Sequence, residues 1–255
     1  MNQSNDTFVI RFQGDLNDLL PPDQRERTIA LAADAHTTVK HTIESLGVPH
    51  PEVEAIVASG VAVDFGYIPA AGEQVEVYSL GSKPAVEPRI ALRPPLEPPI
   101  RFVLDTHLGQ LATWLRQFGF DTLYSNGYDD SELAQISSHE NRLLLTRDRG
   151  LLKYKIVVYG HCVRSSEPRQ QLIDILRRYH LQDQIQLWQR CVHCNGLLET
   201  VTKAEIFDQL EPKTQLYYDD FQRCTVCAQI YWRGSHFERM EAFVEEVMRE
   251  LGEQR

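Results

Sequence analysis

Phe102–Asp148 reads FVLDTHLGQLATWLRQFGFDTLYSNGYDDSELAQISSHENRLLLTRD, and its alternation of patterns decides the fold. The apolar run Phe102-Val103-Leu104 ends at Asp105. Leu108, Leu111, Leu115 and Phe118 then recur at helical spacing, and Gly119 closes that helix. Thr122–Tyr124 reads as a strand, and Leu133–Ile136 begins a second helix behind Asp129-Asp130. Leu143–Thr146 is a continuous apolar run that stops just before Arg147-Asp148. Strand and helix in alternation argue for an α/β fold with a parallel sheet in three layers. In such a sheet the strand C-termini share one edge, where ligands bind. Acidic side chains at Asp105, Asp130 and Asp148 are expected to meet there.

C-terminal to this stretch, Ile156–Tyr159 reads as a further buried strand, and Pro168 starts a helix through Leu172, Ile175, Leu176 and Tyr179. Residues 191–232 hold two CxxC pairs, Cys191/Cys194 and Cys224/Cys227, with 29 residues between them and a helix-like piece near Lys203–Gln209. Ser235 to Leu251 reads as a closing helix capped by Ser235, with Phe237, Met240, Val244, Val247 and Leu251 on one face.

On the N-terminal side, six prolines fall within Pro84–Pro99, which excludes a helix and reads as a semi-rigid linker. Before it come a frayed start (residues 1–6), an edge-exposed strand at Phe8–Phe12, and a second strand within Thr28–Ala33. A short helix follows, capped by Thr37 or Thr38 and ended by Gly47, then β runs at Val53–Ala58, Val61–Phe65 and Gln74–Tyr78. That order is the order of a β-grasp, ubiquitin-like domain. Four parts are therefore expected: 1–83 β-grasp, 84–100 linker, 101–190 α/β domain, and 191–255 CxxC ribbon with its helix.

Composition sets the class. With 42% hydrophobic and 24% charged residues in 255, the chain is an ordinary globular protein, and no run approaches a membrane span. A cytoplasmic location is expected. The net charge of -10 is unevenly spread: residues 91–190 carry 13 Lys/Arg against 11 Asp/Glu, while both flanking parts are acidic. A basic excess around the acidic edge permits a nucleic-acid substrate.

The cysteine pairs carry the sharper chemistry. Two tight CxxC turns supply four thiolates to a tetrahedral Zn²⁺, a closed and therefore structural site. His193 reads as an exposed knuckle residue and Cys162 as a buried strand-end thiol. Each carboxylate has a plainer reading: Asp130 as the N-cap of the helix at Ser131, Asp105 and Asp148 as strand terminators. Together they make the oxygen-only environment that Mg²⁺ and Mn²⁺ prefer, with Asp129 and Glu132 in reach. Arg147, Arg149, Lys153 and Lys155 suit a nucleic-acid backbone or a solvated basic loop. Arg164 with Ser165, and Arg233 with His236 after Tyr231-Trp232, are further candidates for touching substrate. Trp232 itself reads as packing.

Residues 102–240 resemble the C-terminal ribonuclease family first named from the Mut-seven exonuclease, a PIN-like nuclease fused to a zinc ribbon. FVLDTHLGQLATWLRQFGFD, DDSELAQI, RLLLTRDRGLL, QLIDIL, both CxxC pairs and YWRGSHFERM carry the likeness. The resemblance implies metal-dependent RNA cleavage with Asp105, Asp130 and Asp148 at the acidic positions, Thr146 beside the last, and Asp129 competing for the middle one. IESLGVPHPEVEAIVASG and GEQVEVY are similar to the ubiquitin-like domain fused to that nuclease. After its last strand the chain runs Ser79-Leu80-Gly81-Ser82-Lys83 and continues, without a free Gly-Gly tail. Docking of a protein partner or RNA is therefore expected rather than sulfur transfer. The rival reading is an RNA- or ribosome-associated binding module with a weak or silent nuclease site.

Overall fold

The computed structural model describes residues 6–82, 84, 86 and 89–252, the side chain of His236 excepted. The expectations for residues 1–5, for Lys83 and for residues 85, 87 and 88 of the proline-rich stretch lie outside the described residues. In chain order the elements are β1 (Thr7–Phe12), β2 (Ile29–Ala32), α1 (Val39–Ser45), β3 (Val53–Ala58), β4 (Val61–Val63) and β5 (Gln74–Ser79). Then come β6 (Phe102–Leu104), α2 (Gly109–Gln117), β7 (Thr122–Tyr124), α3 (Asp130–Glu140), β8 (Leu143–Thr146), α4 (Arg149–Leu152), β9 (Gly160–Cys162) and α5 (Pro168–Arg178). The last part holds β10 (Leu198–Val201), α6 (Lys203–Ile206), α7 (Pro212–Tyr217), β11 (Phe221–Cys224), β12 (Ile230–Trp232) and α8 (Ser235–Gly252). The chain divides into two compact units, Met1–Pro98 with Tyr128–Val163, and Pro99–Gly127 with Arg164–Arg255.

In the first unit, five strands form a mixed sheet in the order β2-β1-β5-β3-β4. β1 and β5 run parallel with Ile10 opposite Val75, and the remaining pairs are antiparallel. Period-2 alternation turns Phe8, Ile10 and Phe12 of β1, and Val75 and Val77 of β5, into one core with Val39 and Ile43 of α1. Thr38 caps α1, its Oγ1 accepting the His41 N–H at 3.3 Å, and Gly47 ends the helix at φ 100. The expectation of an edge position for Phe8–Phe12 is corrected: β1 is flanked on both sides. Its exposed residues alternate because the second sheet face meets solvent, not because a strand edge is open.

The same unit includes α3, β8, α4 and β9. β8 and β9 pair in parallel, with Leu144 opposite Gly160 and Thr146 opposite Cys162. The strand expected at Ile156–Tyr159 is therefore displaced. Ile156 is 44% exposed, and the buried strand is the less apolar triplet Gly160-His161-Cys162. What lets His161 enter the interior is Glu52, itself 1% exposed: its carboxylate accepts the His161 Nδ1 contact at 2.9 Å and the Cys162 N–H at 2.6 Å. A buried polar strand is tolerated when its polar atoms are bonded. His50 adds a second tie, between the Glu44 carboxylate (2.7 Å) and the Val157 carbonyl (2.8 Å). The proline-rich stretch is likewise held, since Arg93 donates to the Val53 carbonyl and Tyr159 Oη to the Pro95 carbonyl.

Glu52→Gln keeps the shape but turns an amide N–H₂ toward donors. We expect it to lower stability by about 1.5–3 kcal/mol, the worth of a charged hydrogen bond, in urea unfolding. An unchanged midpoint would mean that this contact contributes nothing.

In the second unit, β6 and β7 pair in parallel, Phe102 opposite Thr122. Leu111 and Leu115 of α2, and Leu172, Ile175 and Leu176 of α5, are fully buried or nearly so. Gly119 stands at φ 94 with room for no side chain, because a Cβ there would lie 2.1 Å from the Gln186 carbonyl oxygen. α8 buries Val244, Val247 and Leu251, as its stripe predicts, and adds Phe243, whose ring lies 4.6 Å from that of Trp114. Arg177 donates to the Glu250 carbonyl at 2.8 Å, and Arg169 pairs with the Glu250 carboxylate at 2.8 Å. β10, β11 and β12 form an antiparallel ribbon in that order. Among the described residues, no helix is long and apolar enough to cross a membrane.

Candidate functional site

The four cysteines come together as spacing predicts. Their sulfur atoms all lie within 4.8 Å of one another, with Cys191–Cys227 at 3.6 Å and Cys194–Cys224 at 3.3 Å. Four thiolates about 2.3 Å from a tetrahedral Zn²⁺ stand about 3.8 Å apart, so the quartet has the size and the donor chemistry for zinc. Each CxxC turn closes the same way: the residue after it, Asn195 (φ 70) or Ala228 (φ 59), is left-handed and donates back to the first cysteine's carbonyl. Gly196 lets the second knuckle approach, since a Cβ there would sit 2.8 Å from Cys224 Sγ. Burial opposes a thiolate at Cys224, but the N–H groups of Cys227 and Val226 outweigh it and leave this thiol lowered to about 7. Burial pushes the Cys194 thiol up to about 12. His193 is exposed and is not in the quartet, as expected.

Sequence reasoning missed what surrounds these ligands. Tyr231, read there only as an aromatic beside Arg233, places its hydroxyl 3.0 Å from Cys191 Sγ. Such a donor orients a metal-bound thiolate. Arg116, 5% exposed, donates to the Val192 and His193 carbonyls at 3.1 and 3.0 Å and to the Thr122 carbonyl at 3.0 Å. Asn195 accepts the Thr122 N–H at 2.9 Å and donates to Asp121 at 2.8 Å. The first knuckle is thereby tied to β7. An arginine directly beside Leu115 of the apolar α2 stripe was the visible signal. Asn195→Ala leaves the buried Thr122 N–H without its acceptor, at an expected cost of about 1–3 kcal/mol in unfolding with zinc content unchanged. Loss of zinc in that variant would instead make Asn195 part of the metal site.

Each predicted carboxylate heads a turn. Asp105 directly follows β6, is 9% exposed, and accepts the Thr106 N–H at 2.6 Å. Tyr124 donates to the Thr106 carbonyl at 2.9 Å, and Gly109 makes room for that ring. Asp148 lies two residues past β8 and caps α4, accepting the Gly150 N–H at 2.7 Å, while its own N–H donates to Thr146 Oγ1 at 2.9 Å. The N-cap of α3 is Asp129, not Asp130. Asp129 has extended backbone (φ -89, ψ 170), accepts the Glu132 N–H at 2.8 Å and receives the Glu132 carboxylate on its own N–H at 3.0 Å. This capping box corrects the sequence reading, in which Asp130 was the cap; Asp130 is the first helical residue and is exposed. Asp105 belongs to the second unit, and Asp129, Asp130 and Asp148 belong to the first.

The basic candidates separate by what they touch. Arg147 is exposed beyond β8. Arg149 donates to the Leu19 carbonyl at 2.7 Å and Lys153 to the Glu44 carbonyl at 2.6 Å, so both hold the β-grasp part against α4. Arg164 is half-buried two residues after β9. Arg233 is exposed, with its guanidinium 5.3 Å over the Phe237 ring. His236 lies on α8 with its side chain outside the described residues.

Comparison with known families finds two matches. The model of the Mut7-C RNAse domain matches residues 100–244, and that of Mut7-C ubiquitin matches residues 6–83. The chain belongs to the Mut7-C RNAse domain family. No curated protein and no solved structure matches it. The Mut7-C ribonuclease match takes in Asp105, Asp129, Asp130 and Asp148 together with all four cysteines, and the Mut7-C ubiquitin match takes in the five-stranded mixed sheet.

Proposed function

We propose that this Mut7-C chain is a cytoplasmic, metal-dependent ribonuclease in which Asp105, Asp130 and Asp148 supply the oxygen ligands of a Mg²⁺ or Mn²⁺ ion. The observation that carries the reading is that, within the ribonuclease match, Asp105 and Asp148 stand at the heads of turns and Asp130 opens α3. Asp105 and Asp148 are held by the N–H groups of Thr106 and Gly150. An all-carboxylate donor set fits a hard cation, which when bound would lower the pKa of a water and neutralise charge on a phosphate. The chain's own part is to restrain the Asp105 and Asp148 oxygens, each of which accepts a backbone N–H. Asp130 is taken as the middle ligand, as the family resemblance implies, with its neighbour Asp129, the cap of α3, as the alternative.

Arg147 and Arg164 are assigned to the RNA backbone, with Arg233 and His236 after the second CxxC pair. Arg149 keeps a substrate role only if it releases Leu19. The zinc is structural, and the ubiquitin-like domain docks a protein partner. Incubating the full chain with single-stranded RNA and Mn²⁺, with and without a chelator, tests the reading: metal-dependent product supports it. RNA binding without any product would favour the rival reading as a binding module.

A further inference from the structure

Neither the zinc nor the carboxylates use a cleft of about 890 Å³ enclosed by the ribbon sheet and the start of α8. It lies wholly within the second unit. Among the rings that line it, Trp232 is 38% exposed, and Trp188, Tyr218, Tyr231 and Phe237 are half-buried. Trp188 and Phe237 lie 4.4 Å apart at 32°, and the Arg233 guanidinium sits 5.3 Å from the centre of the Phe237 ring. Tyr218 and Trp232 face each other at 6.5 Å. Trp188 is held there at φ 62, a left-handed backbone that a bulky residue adopts only under constraint. Beside the cleft, α7 leaves Leu216 and Tyr217 about 70% exposed, extending the patch.

The chemistry selects among occupants. Flat, π-rich walls suit flat, π-rich ligands, and a guanidinium stacked on a ring keeps its N–H edge for a phosphate. Arg190 also lines the cleft but is paired with Asp121 at 3.5 Å, so Arg233 is the cation that opposes a cationic ligand such as a methylated lysine. Asp219, also on the wall, is paired with Lys203 at 2.8 Å, while Asp220 can accept the amino group of a base. Only unpaired nucleotides offer exposed base faces, since a duplex keeps its bases stacked inside. We propose that this cleft binds unpaired nucleotides of RNA, with bases stacked on Trp232 and on the Trp188–Phe237 pair and a phosphate held by Arg233. The proposal rests on the ribonuclease reading only for the choice of RNA as ligand.

The full zinc-loaded chain, without added Mg²⁺ or Mn²⁺, is titrated into a labelled ten-nucleotide single-stranded RNA and into the same sequence as a duplex. Trp232→Ala and Phe237→Ala should each weaken single-strand binding by about 5- to 150-fold, the worth of one stacked base. Trp232→Phe should stay within about threefold, and Arg233→Gln should lower the salt slope by about 0.7. Zinc content and unfolding midpoint show whether each variant is folded; if the alanine variants are not, Trp232→Phe and Arg233→Gln decide. Equal affinity for duplex, unchanged affinity in folded variants, or tighter binding of a trimethyl-lysine peptide would overturn the proposal. A chain that binds through Trp232 yet never cleaves sinks the ribonuclease reading and leaves the cleft standing. A chain that cleaves while its folded Trp232 and Phe237 variants bind unchanged does the reverse.

Discussion

Asp148→Asn is expected to reduce metal-dependent RNA cleavage by about a thousandfold while leaving the fold intact. Asparagine is as good an N-cap as aspartate, and its Oδ1 can still accept the Gly150 N–H that Asp148 accepts at 2.7 Å. What it removes is the charge that a hard cation requires. A lost metal contact worth about 4 kcal/mol at the transition state corresponds to three decades in rate. Asp105→Asn should behave alike, because the Thr106 N–H also remains capped. The same logic separates the two neighbours. Asp130→Asn should lose activity, whereas Asp129→Asn should keep it within about threefold, since the capping box with Glu132 survives. Wild-type cleavage by both Asp105→Asn and Asp148→Asn at saturating Mn²⁺ would show the assignment to be wrong. An inactive Asp129→Asn beside an active Asp130→Asn would exchange those two roles.

Cys224→Ser should empty the metal site and unfold the ribbon. Structural zinc contributes about 10–16 kcal/mol of apparent binding energy to small metal modules. The ribbon's own core, among the described residues, is Val201, Ile206, Leu210 and Phe221 with Tyr218 and Ile230 packed on it, too small to order the segment alone. Elemental analysis should fall from about one Zn per chain to about none, and the 191–232 backbone should lose its hydrogen-exchange protection. Because Cys191 shares Tyr231 with β12, and Arg116 grips the knuckle carbonyls, the loosening should reach β7. Protection in the β1–β5 sheet should persist. A serine variant that keeps both its zinc and its ribbon protection would exclude a structural role for the quartet.

Much of this architecture is legible along the chain because local rules and tertiary packing agree. Thr122–Tyr124 and Leu143–Thr146 are strands as read, α5 starts at Pro168, and α1 is capped by Thr38. These segments carry their own signals, an apolar run or a fixed φ or a capping hydroxyl. The displaced strand shows what the chain alone does not carry. Ile156–Tyr159 is the more apolar run, yet Gly160–Cys162 is the strand, because a distant carboxylate on Glu52 satisfies His161 and the Cys162 N–H. A polar triplet reads as surface until its partner, more than a hundred residues away, is known.

At the candidate site the division is similar. The sequence by itself determined the cysteine quartet, since two CxxC turns at this spacing read as one set of four thiolates. It also determined which acidic residues follow strands, since that depends on neighbours in the chain. Tertiary structure decided that Asp129 rather than Asp130 caps α3, because one residue of backbone geometry separates a cap from a first helical turn. It decided that Arg149 reaches Leu19, and that Trp232, read as packing, stands 38% exposed over a cleft. Hydrogen-bond partners and exposure are properties of groups brought together across long loops, and no periodicity in the sequence encodes them.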